Sequence, residues 1–547
     1  MQSESMPVDG VPVRGAVVQR LLQRVQGLLS GFRQNVAILG HEGSGKSLLL
    51  NDLARGLNGR GPILLCLEIY PENFRTFTER FLSHLIIRGL AQKGGIPSQG
   101  SLKALLEQAR HRLPETASCA QKVLGLLPRN PDAAFQLALD LPMLLAAETG
   151  APLLVQLDEF DRLGNFHLRD PFASFGRKIQ LQKSVMYLVT SSRPHRARLI
   201  LKEKLNLLFG HFEVMELAGL DPDSARELMT AEAGAGPVPA TEANFLIALT
   251  SGHPFYLKHI ARTWGLVAST SLTTRPAPAL DRGSLMEALE KELVEKDGCL
   301  HSLFRRHVDE MYAMRSHRCH ISVLSSLAQG NRTCAHISHD LGLTRKEASK
   351  QLTRLHDMDL VLRSGQLYAV KDSLFAYWLK TVWCPTLVQG DACSHEVRRL
   401  FRTSLESDLD AFIRAGQQGI RERVAALFRK FENDLVEIGA RKVRLPLFEE
   451  VCPRSTGLDG ALPLTARRGS AYWVGHITNG HTSEAEITHF ARELKKSRLP
   501  VKRKIIISQR PLDINARLVA KEAKIWTWDL DEINLLLNLY GQPKIIV

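Results

Sequence analysis

The chain has 547 residues, of which 44% are hydrophobic and 23% are charged, a composition typical of a globular protein with about three or four domains. No apolar run approaches the ~20 residues of a membrane span, and no basic segment precedes an apolar one at the start, which predicts a cytoplasmic protein without a membrane partner. Lys and Arg exceed Asp and Glu by 71 − 57 = 14, which favours a polyanionic partner or simply aids solubility.

Residues 16–32 have the apolar spacing of a helix, and a short apolar run then leads into Gly40–Ser47, which matches G-x-x-x-x-G-K-[ST]. This pattern predicts a loop whose backbone N–H groups surround a di- or triphosphate. Lys46 would place its charge at the β and γ phosphates, and the Ser47 hydroxyl would bind Mg²⁺. The predicted nucleotide-binding residues are Gly40, His41, Glu42, Gly43, Ser44, Gly45, Lys46, Ser47 and Leu48. The alternative is a glycine-rich turn that matches by chance.

A second apolar run, Leu153–Leu157, ends in two consecutive carboxylates, Asp158 and Glu159. Such a run is typical of a parallel strand that is buried on both faces. Carboxylates that follow it lie where parallel sheets bind their ligands. We therefore expect Asp158 to bind Mg²⁺ and Glu159 to polarise the attacking water, and the alternative is that both acids cap the following turn.

The apolar run Val185–Val189 is followed by three hydroxyl side chains and then by Arg193. If this run is another strand of the same open sheet, its end reaches the same edge. Ser191 or Ser192 would then contact the γ-phosphate together with Arg193, which would act as its sensor. The alternative is that Arg193 is a surface residue before Pro194.

These segments resemble the archaeal-type ATPases, which neighbour the STAND and origin-recognition branches of the AAA+-like P-loop ATPases. The likeness covers residues 16–265 and rests on the loop at Gly40, the acids Asp158 and Glu159, the Thr190–Arg193 strand end, the Leu217–Leu220 turn and the Gly252–Pro254 break. It implies a P-loop core at 16–213, a helical lid at 214–267, and ATP with Mg²⁺ as cofactors. In this family the lid packs on the adenine, which implies a nucleotide contact near His253 and Pro254. No segment matches an arginine finger for a second subunit, so slow hydrolysis is expected.

Residues 317–385 have the pattern of three short helices and a hairpin, which resembles a winged helix-turn-helix domain. Thr344 and Glu347 form a capping box that begins the third helix. That helix and the hairpin would present donors that bind phosphates and guanine edges, namely Arg345, Lys346, Ser349, Lys350, Arg354 and Arg363. The pattern predicts binding of double-stranded DNA, and the alternative is a module that packs against the ATPase or inhibits it.

Residues 395–547 begin with charged helices over 395–439 that are divided at Gly416 and Gly419. The remaining pattern predicts strands near 443–448, 471–477, 503–508 and 525–528, and helices at 484–495 and 515–522. This order resembles the restriction-endonuclease-like fold, in which an acid on one strand and (D/E)-x-K on the next hold Mg²⁺. Asp459 is a candidate for the first acid, but 471–477 contains neither an acid nor Lys. We expect a degenerate domain that binds or dimerises.

The expected fold class is α/β: a P-loop NTPase parallel sheet with a helical lid, a winged-helix domain and a C-terminal α/β restriction-endonuclease-like domain. A linker and an amphipathic connecting helix, at 268–316, would join the lid to the winged helix. The expected function is a Mg²⁺-dependent ATP hydrolase that acts as a nucleotide-controlled switch on DNA. Two alternatives stay open, a STAND-like signalling or defence scaffold that oligomerises and binds a protein partner, and an ATPase-gated nuclease.

Overall fold

The computed structural model describes residues 14–57, 61–97, 100–205, 212–270, 280–313, 318–390, 394–439, 441–453, 464–478, 480, 482–496, 499–510 and 512–547. They form two compact units. The first contains the residues up to Gly219 together with His253–Phe255, and the second contains Leu220–Gly252 and Tyr256–Val547. None of the helices in these described ranges has the length and apolar character that crossing a membrane requires.

Five strands of the first unit form one parallel sheet, and they are β1 (Asn35–Leu39), β2 (Ile63–Glu68), β3 (Leu153–Asp158), β4 (Val185–Ser191) and β5 (Phe212–Glu216). Their order across the sheet is β2-β3-β4-β1-β5. Every residue of β1 and β4 is buried because helices cover both faces of the sheet, which explains the uninterrupted apolar sequences of these strands. The predicted parallel sheet of a P-loop NTPase is therefore confirmed.

Two layers of helices enclose this sheet. On one face, α1 (Gly15–Leu29) and α2 (Lys46–Gly56) bury their leucines against β1 and β4. The other face is covered by α3 (Phe74–Gln92), α4 (Leu102–Arg112), α5 (Pro114–Leu126), α6 (Pro131–Ala138), α7 (Leu141–Thr149), α8 (Pro171–Leu181) and α9 (Pro194–Leu199). A short 3₁₀ turn, Phe160–Asn165, leads away from the end of β3.

The second unit begins with helices, namely α10 (Pro222–Ala233), α11 (Ala240–Thr250), α12 (Pro254–Thr270), α13 (Arg282–Leu293) and α14 (Cys299–Ala313). The first two residues of α12 belong to the first unit. The helical residues that we expected over 285–316 are thus divided between α13 and α14. The chain leaves the helix at Leu293, whose carbonyl oxygen accepts hydrogen bonds from His301 Nδ1 at 3.0 Å and from Trp378 Nε1 at 2.9 Å. The side chains of His301 and Trp378, which come later in the sequence, therefore supply hydrogen bonds to a carbonyl group at the end of α13.

Three short helices and a hairpin follow at the expected positions, namely α15 (Arg318–Ala328), α16 (Cys334–Asp340), α17 (Arg345–Asp357), β6 (Val361–Ser364) and β7 (Leu367–Val370). The capping box is present, because Glu347 N–H donates to Thr344 Oγ1 at 3.3 Å and Thr344 N–H donates to Glu347 Oε2 at 3.0 Å. The apolar face of α17, with Ala348, Leu352 and Leu355, is completely buried. Three further helices, α18 (Ser373–Trp378), α19 (Cys384–Gln389) and α20 (His395–Gln417), lead to the C-terminal region.

A mixed sheet forms the C-terminal region. Its elements in chain order are α21 (Ile420–Phe428), β8 (Asp434–Ile438), β9 (Arg441–Leu445), β10 (Glu450–Cys452), β11 (Leu464–Arg468), β12 (Ala471–Thr478), α22 (Glu484–Lys496), β13 (Val501–Ser508), α23 (Ile514–Glu522), β14 (Trp526–Trp528) and α24 (Leu530–Leu539). The sheet order is β10-β11-β12-β13-β14, antiparallel as far as β12 and parallel beyond it, and β8 and β9 form a separate antiparallel pair.

The positions that we predicted for the first strands of this region were wrong. Helix was expected as far as residue 439, but 434–438 is strand β8, and the strand expected near 443–448 begins and ends earlier, at Arg441 and Leu445. In β8 the buried Val436 and Ile438 flank an exposed Glu437. This alternation of buried and exposed residues is short, and it follows soon after α21, which has a similar mixture of charged and apolar residues. The sequence pattern therefore did not distinguish the strand from a continuation of the helix.

Gly265 lies in α12, where this helix packs on the end of α10. A Cβ at Gly265 would lie only 1.9 Å from the Ala233 carbonyl oxygen. We expect Gly265→Ala to lower the free energy of unfolding of the second unit by about 1–3 kcal/mol, because overpacking outweighs the better helix propensity of Ala. Gly416→Ala in α20 is the matched control, since nothing lies within 4 Å of its Cβ. Denaturant unfolding compares the two variants, and equal stability would contradict the expectation.

Candidate nucleotide-binding site and basic helix

The chain turns sharply between β1 and α2, where Gly40–Ser47 lie. Gly43 and Gly45 have φ values of 74° and 91°, in the left-handed region that favours glycine. Gly45 directly precedes α2, so the loop ends at the positive end of that helix. At its other end the Gly40 N–H donates to Ser191 O at 3.2 Å, which attaches the loop to β4. Backbone N–H groups and a helix terminus are thus arranged as an anion-binding loop.

Lys46 lies inside this loop with only 5% of its surface exposed. Its Nζ donates to the carbonyl oxygens of Gly40 and His41, each at 2.9 Å. Burial lowers the pKa of the Lys46 ammonium, and the Glu159 and Asp158 carboxylates act in the opposite direction. Because a phosphate oxygen carries more negative charge than a carbonyl oxygen, this ammonium can transfer its hydrogen bonds to a bound phosphate.

Other loop residues also fit a phosphate ligand. The Ser44 hydroxyl is buried against Gly40 and has no hydrogen-bond partner among the described residues, as expected of a group whose partner is a ligand. The Glu42 side chain is exposed, and Leu48 is 69% exposed in the first turn of α2. Pro254 lies at the first position of α12, directly after His253, whose Nε2 is 2.9 Å from Glu42 O.

The structure brings together the two residues that we expected to bind Mg²⁺. Ser47 Oγ donates to Asp158 Oδ2 at 3.1 Å. The Thr190 hydroxyl, at the end of the neighbouring strand β4, donates to the other carboxylate oxygen, Oδ1. A hydroxyl and a carboxylate are hard oxygen donors of the kind that Mg²⁺ binds alongside phosphate and water, so this pair fits the ion.

Glu159 is only 8% exposed and adopts a left-handed backbone conformation, with φ of 57°. Few residues other than glycine adopt this conformation, and those that do are concentrated at functional sites. The Ser192 N–H donates to Glu159 Oε2 at 3.1 Å, and the Ser192 hydroxyl donates to Oε1. The Glu159 N–H donates to Thr190 Oγ1 at 3.3 Å. The hydroxyl groups of Thr190 and Ser192, at the end of β4, therefore form hydrogen bonds with the carboxylates of Asp158 and Glu159.

We expected Ser191 or Ser192 to contact the γ-phosphate. In the structure, both side chains instead bind carboxylates. Ser191 Oγ donates to Asp161 Oδ1 at 2.7 Å, and Asp161 is completely buried. Arg196 Nε lies 3.8 Å from Asp161 Oδ2. Arg193 precedes α9 and its side chain is exposed, so its position at the end of β4 is what places it near the site.

The sequence interpretation assigned no contact to three residues of this site, namely Thr190, Asp161 and Arg196. The signal available for two of them was position. Thr190 directly follows the apolar run Val185–Val189 and precedes the two serines, and Asp161 comes three residues after Asp158. The direction in which each side chain points is set by the packing of the strand ends, and the sequence pattern does not contain it.

A second candidate surface lies on α17, in the other unit. Opposite the buried apolar face of this helix, the expected DNA-binding residues have exposed side chains, and they are Arg345, Lys346, Ser349, Lys350 and Arg354. Four of these residues are cations, and the one acid on the first turn, Glu347, accepts hydrogen bonds from Thr344. The exposed face therefore carries an excess of positive charge that attracts phosphates.

The hairpin β6–β7 is covered on one side of its turn by a neighbouring strand. Its turn lies against β8, where Gln366 N–H donates to Leu435 O at 2.8 Å and Glu437 N–H donates to Ser364 Oγ at 3.0 Å. The Arg363 side chain is exposed but turns back, with Nε 3.4 Å from the carbonyl oxygen of Gly365. The role of Arg363 in DNA binding stays a prediction.

The C-terminal sheet shows no constellation for nuclease chemistry in its described residues. Strand β12, Ala471–Thr478, contains neither an acid nor Lys. Asp459, the candidate first carboxylate, lies outside the described residues. Within the part of the chain that the structure describes, no three His, Cys, Asp or Glu side chains converge to hold a metal ion.

A parallel sheet of this strand order, an anion-binding loop after β1 and an acid at the end of β3 define a P-loop ATPase. Residues 10–188 match the family model of the AAA ATPase domain, so the chain is an ATP-hydrolysing enzyme that carries a domain of this type. No curated protein matches the chain.

Three solved structures show the level of similarity. A Walker-type ATPase of Pyrococcus abyssi is 16% identical, covers 69% of this chain and 99% of its own, and has a TM-score of 0.44. The ORC2 protein of Aeropyrum pernix, solved as ADPNP–ADP complexes, is 14% identical over 74% of this chain and 98% of its own, with a TM-score of 0.40. The ORC1 protein of Aeropyrum pernix, solved in complex with DNA, is 16% identical over 70% of this chain and 95% of its own, with a TM-score of 0.34. Similarity at this level indicates nothing about function.

Thr190 offers a test of the site that the hydrogen bonds define. We expect Thr190→Val to lower the kcat of ATP hydrolysis by ~10-fold, because Asp158 and the Glu159 N–H each lose a partner worth about 1 kcal/mol or more. The affinity for ATP measured without Mg²⁺ should change less than ~3-fold, because the loop is intact. Thr78→Val is the control, since its buried hydroxyl donates only to Phe74 O in its own helix. Unchanged kcat in the Thr190 variant would contradict the expected role.

Proposed function

We propose that this protein is an ATP-controlled switch that binds double-stranded DNA through α17. ATP would bind at the phosphate loop, and its hydrolysis would act through the helical lid, residues 214–267, to reposition a winged-helix domain at 317–385. The row of exposed cations on α17 is the observation that most supports DNA as the partner, because it faces solvent on a helix of suitable length. The C-terminal domain, 395–547, would serve in binding or dimerisation.

The proposed hydrolysis uses residues that lie close together. Ser47 is hydrogen-bonded to Asp158, and Thr190 is hydrogen-bonded to both Asp158 and Glu159. The two carboxylates also raise the pKa of Lys46, against the effect of its burial. Lys46 binds the phosphates, Ser47 and Asp158 hold Mg²⁺, and Glu159 polarises the attacking water. Bound Mg²⁺ supplies charge stabilisation at the β and γ phosphates. Arg193 would sense the γ-phosphate, since it follows the strand whose end lies beside Asp158.

We propose slow turnover, with ATP held for long periods between hydrolysis events as a switch requires, because no segment of the sequence matches an arginine finger for a second subunit. The environment of Glu159 suits its proposed role. Both of its carboxylate oxygens accept hydrogen bonds from Ser192. Each oxygen keeps a second lone pair, so these bonds orient the carboxylate and leave it able to polarise a water molecule.

A protein-binding scaffold of the STAND type is the second candidate, and the covered hairpin favours it. The hairpin turn contacts β8 through three residues, Ser364, Gly365 and Gln366. A winged helix whose turn is covered in this way is suited to packing within the protein, and α17 would then bind an acidic surface of a partner. An ATPase-gated nuclease has less support, because β12 lacks the residues for metal-dependent cleavage.

Two substitutions separate ATP binding from hydrolysis. We expect Lys46→Ala to weaken ATP binding at least ~10-fold, since a charge-assisted contact with phosphate is lost. We expect Glu159→Gln to bind ATP normally but to lower kcat by ~100-fold or more, because the water loses its base. Glu79→Gln on the exposed face of α3 is the control. Fluorescent-nucleotide titration and phosphate release are the measurements, and a Glu159→Gln variant with normal kcat would overturn the assignment.

The DNA hypothesis is tested by charge reversal on α17. We expect Lys346→Glu with Lys350→Glu to weaken binding to a mixed-sequence duplex at least ~10-fold at ~0.1 M salt and to reduce the salt dependence of binding, because fewer phosphates are neutralised. The matched control is Lys495→Glu with Lys496→Glu on α22, which changes the net charge equally. Gel shifts are run with and without ATP. An equal loss in both double variants, or no binding by the native chain, favours the protein-binding scaffold.

A further inference from the structure

The segment His253–Phe255 belongs to the first unit, where it packs on the phosphate loop. His253 Nε2 lies 2.9 Å from the carbonyl oxygen of Glu42. Because a carbonyl oxygen can only accept a hydrogen bond, Nε2 carries the hydrogen. A Cβ on Gly43 would lie 2.8 Å from His253 Cε1 and 2.9 Å from Phe255 Cβ, so the loop and this segment are in direct van der Waals contact.

This hydrogen bond fixes the peptide between Glu42 and Gly43. A trans peptide is planar, and its C=O and N–H groups point in opposite directions. His253 binds the oxygen on one side of the loop, so the Gly43 N–H points to the other side. Gly43 itself has φ of 74°, and a glycine at such a position restrains the peptide plane only weakly. An external partner is therefore needed to hold the orientation.

The Gly43 N–H lies in the part of the loop whose amides surround the phosphates. We propose that His253 is a positioning residue that directs the Gly43 N–H toward the phosphates of ATP or ADP by holding the Glu42 carbonyl. This role presupposes the proposed nucleotide site. It differs from a contact between the lid and the adenine, because it acts through the loop backbone and affects only nucleotides whose β-phosphate enters the loop.

The test uses the full-length chain and three ligands, ATP, ADP and AMP. His253→Phe keeps an aromatic ring against Gly43 but removes the donor. His253→Gln restores a donor, because its amide nitrogen lies at nearly the same distance from the backbone as Nε2 of histidine. We expect the Phe variant to bind ATP and ADP ~10-fold more weakly, the effect of one hydrogen bond to a charged group. AMP binding should change less than ~2-fold, and the Gln variant should recover most of the affinity for ATP and ADP.

Three outcomes would overturn the proposal: native affinity in the Phe variant, an equal loss for AMP, or no recovery in the Gln variant. Melting temperatures without nucleotide check folding, and His253→Leu replaces the Phe variant if that variant does not fold. Lys46→Ala is measured in parallel, because a native chain that binds no ATP, or a Lys46 variant that binds it normally, removes the nucleotide site itself. A failure of His253 alone leaves that site intact.

Discussion

The hydrogen bond from Ser47 to Asp158 is the interaction on which the candidate nucleotide-binding site depends. It joins the first turn of α2 to the end of β3, although β4 lies between β3 and β1 in the sheet. Thr190 at the end of β4 bonds to the same carboxylate and so bridges the gap. Parallel strands end at one edge, and this geometry gathers a lysine, a hydroxyl and paired acids from distant parts of the sequence without a long loop.

The sequence alone predicted those parts of the first unit whose structure depends on residues that are close together in the chain. The apolar runs at β1 and β4, and the run at β3 that only Gln156 interrupts, predicted buried parallel strands, and the glycines of the loop predicted its position. The pairing of hydroxyls with acids was not predictable in this way. Ser191 and Ser192 are adjacent and chemically identical, yet one binds Asp161 and the other binds Glu159, because the ends of β3 and β4 pack together in three dimensions.

In the second unit, too, the local features were predictable from the sequence and the long-range contacts were not. The capping box of Thr344 and the amphipathic pattern of α17 are local, and the structure has both. The strands β8, β10 and β11 are only three to five residues long and carry charged side chains, so nothing within them distinguishes them from loop or helix. Their formation depends on partners elsewhere in the chain, which also explains why the contact between the hairpin turn and β8 came from the structure alone.

Under the function that we propose, the contact between the hairpin turn and β8 limits how α17 can bind a duplex. A recognition helix in the major groove without a companion hairpin in the adjacent minor groove touches only a few base pairs. A protein of this design discriminates poorly between sites as a single copy and relies mainly on backbone charge. Under the proposed function, α17 would then contribute affinity for the DNA backbone more than selectivity between sequences.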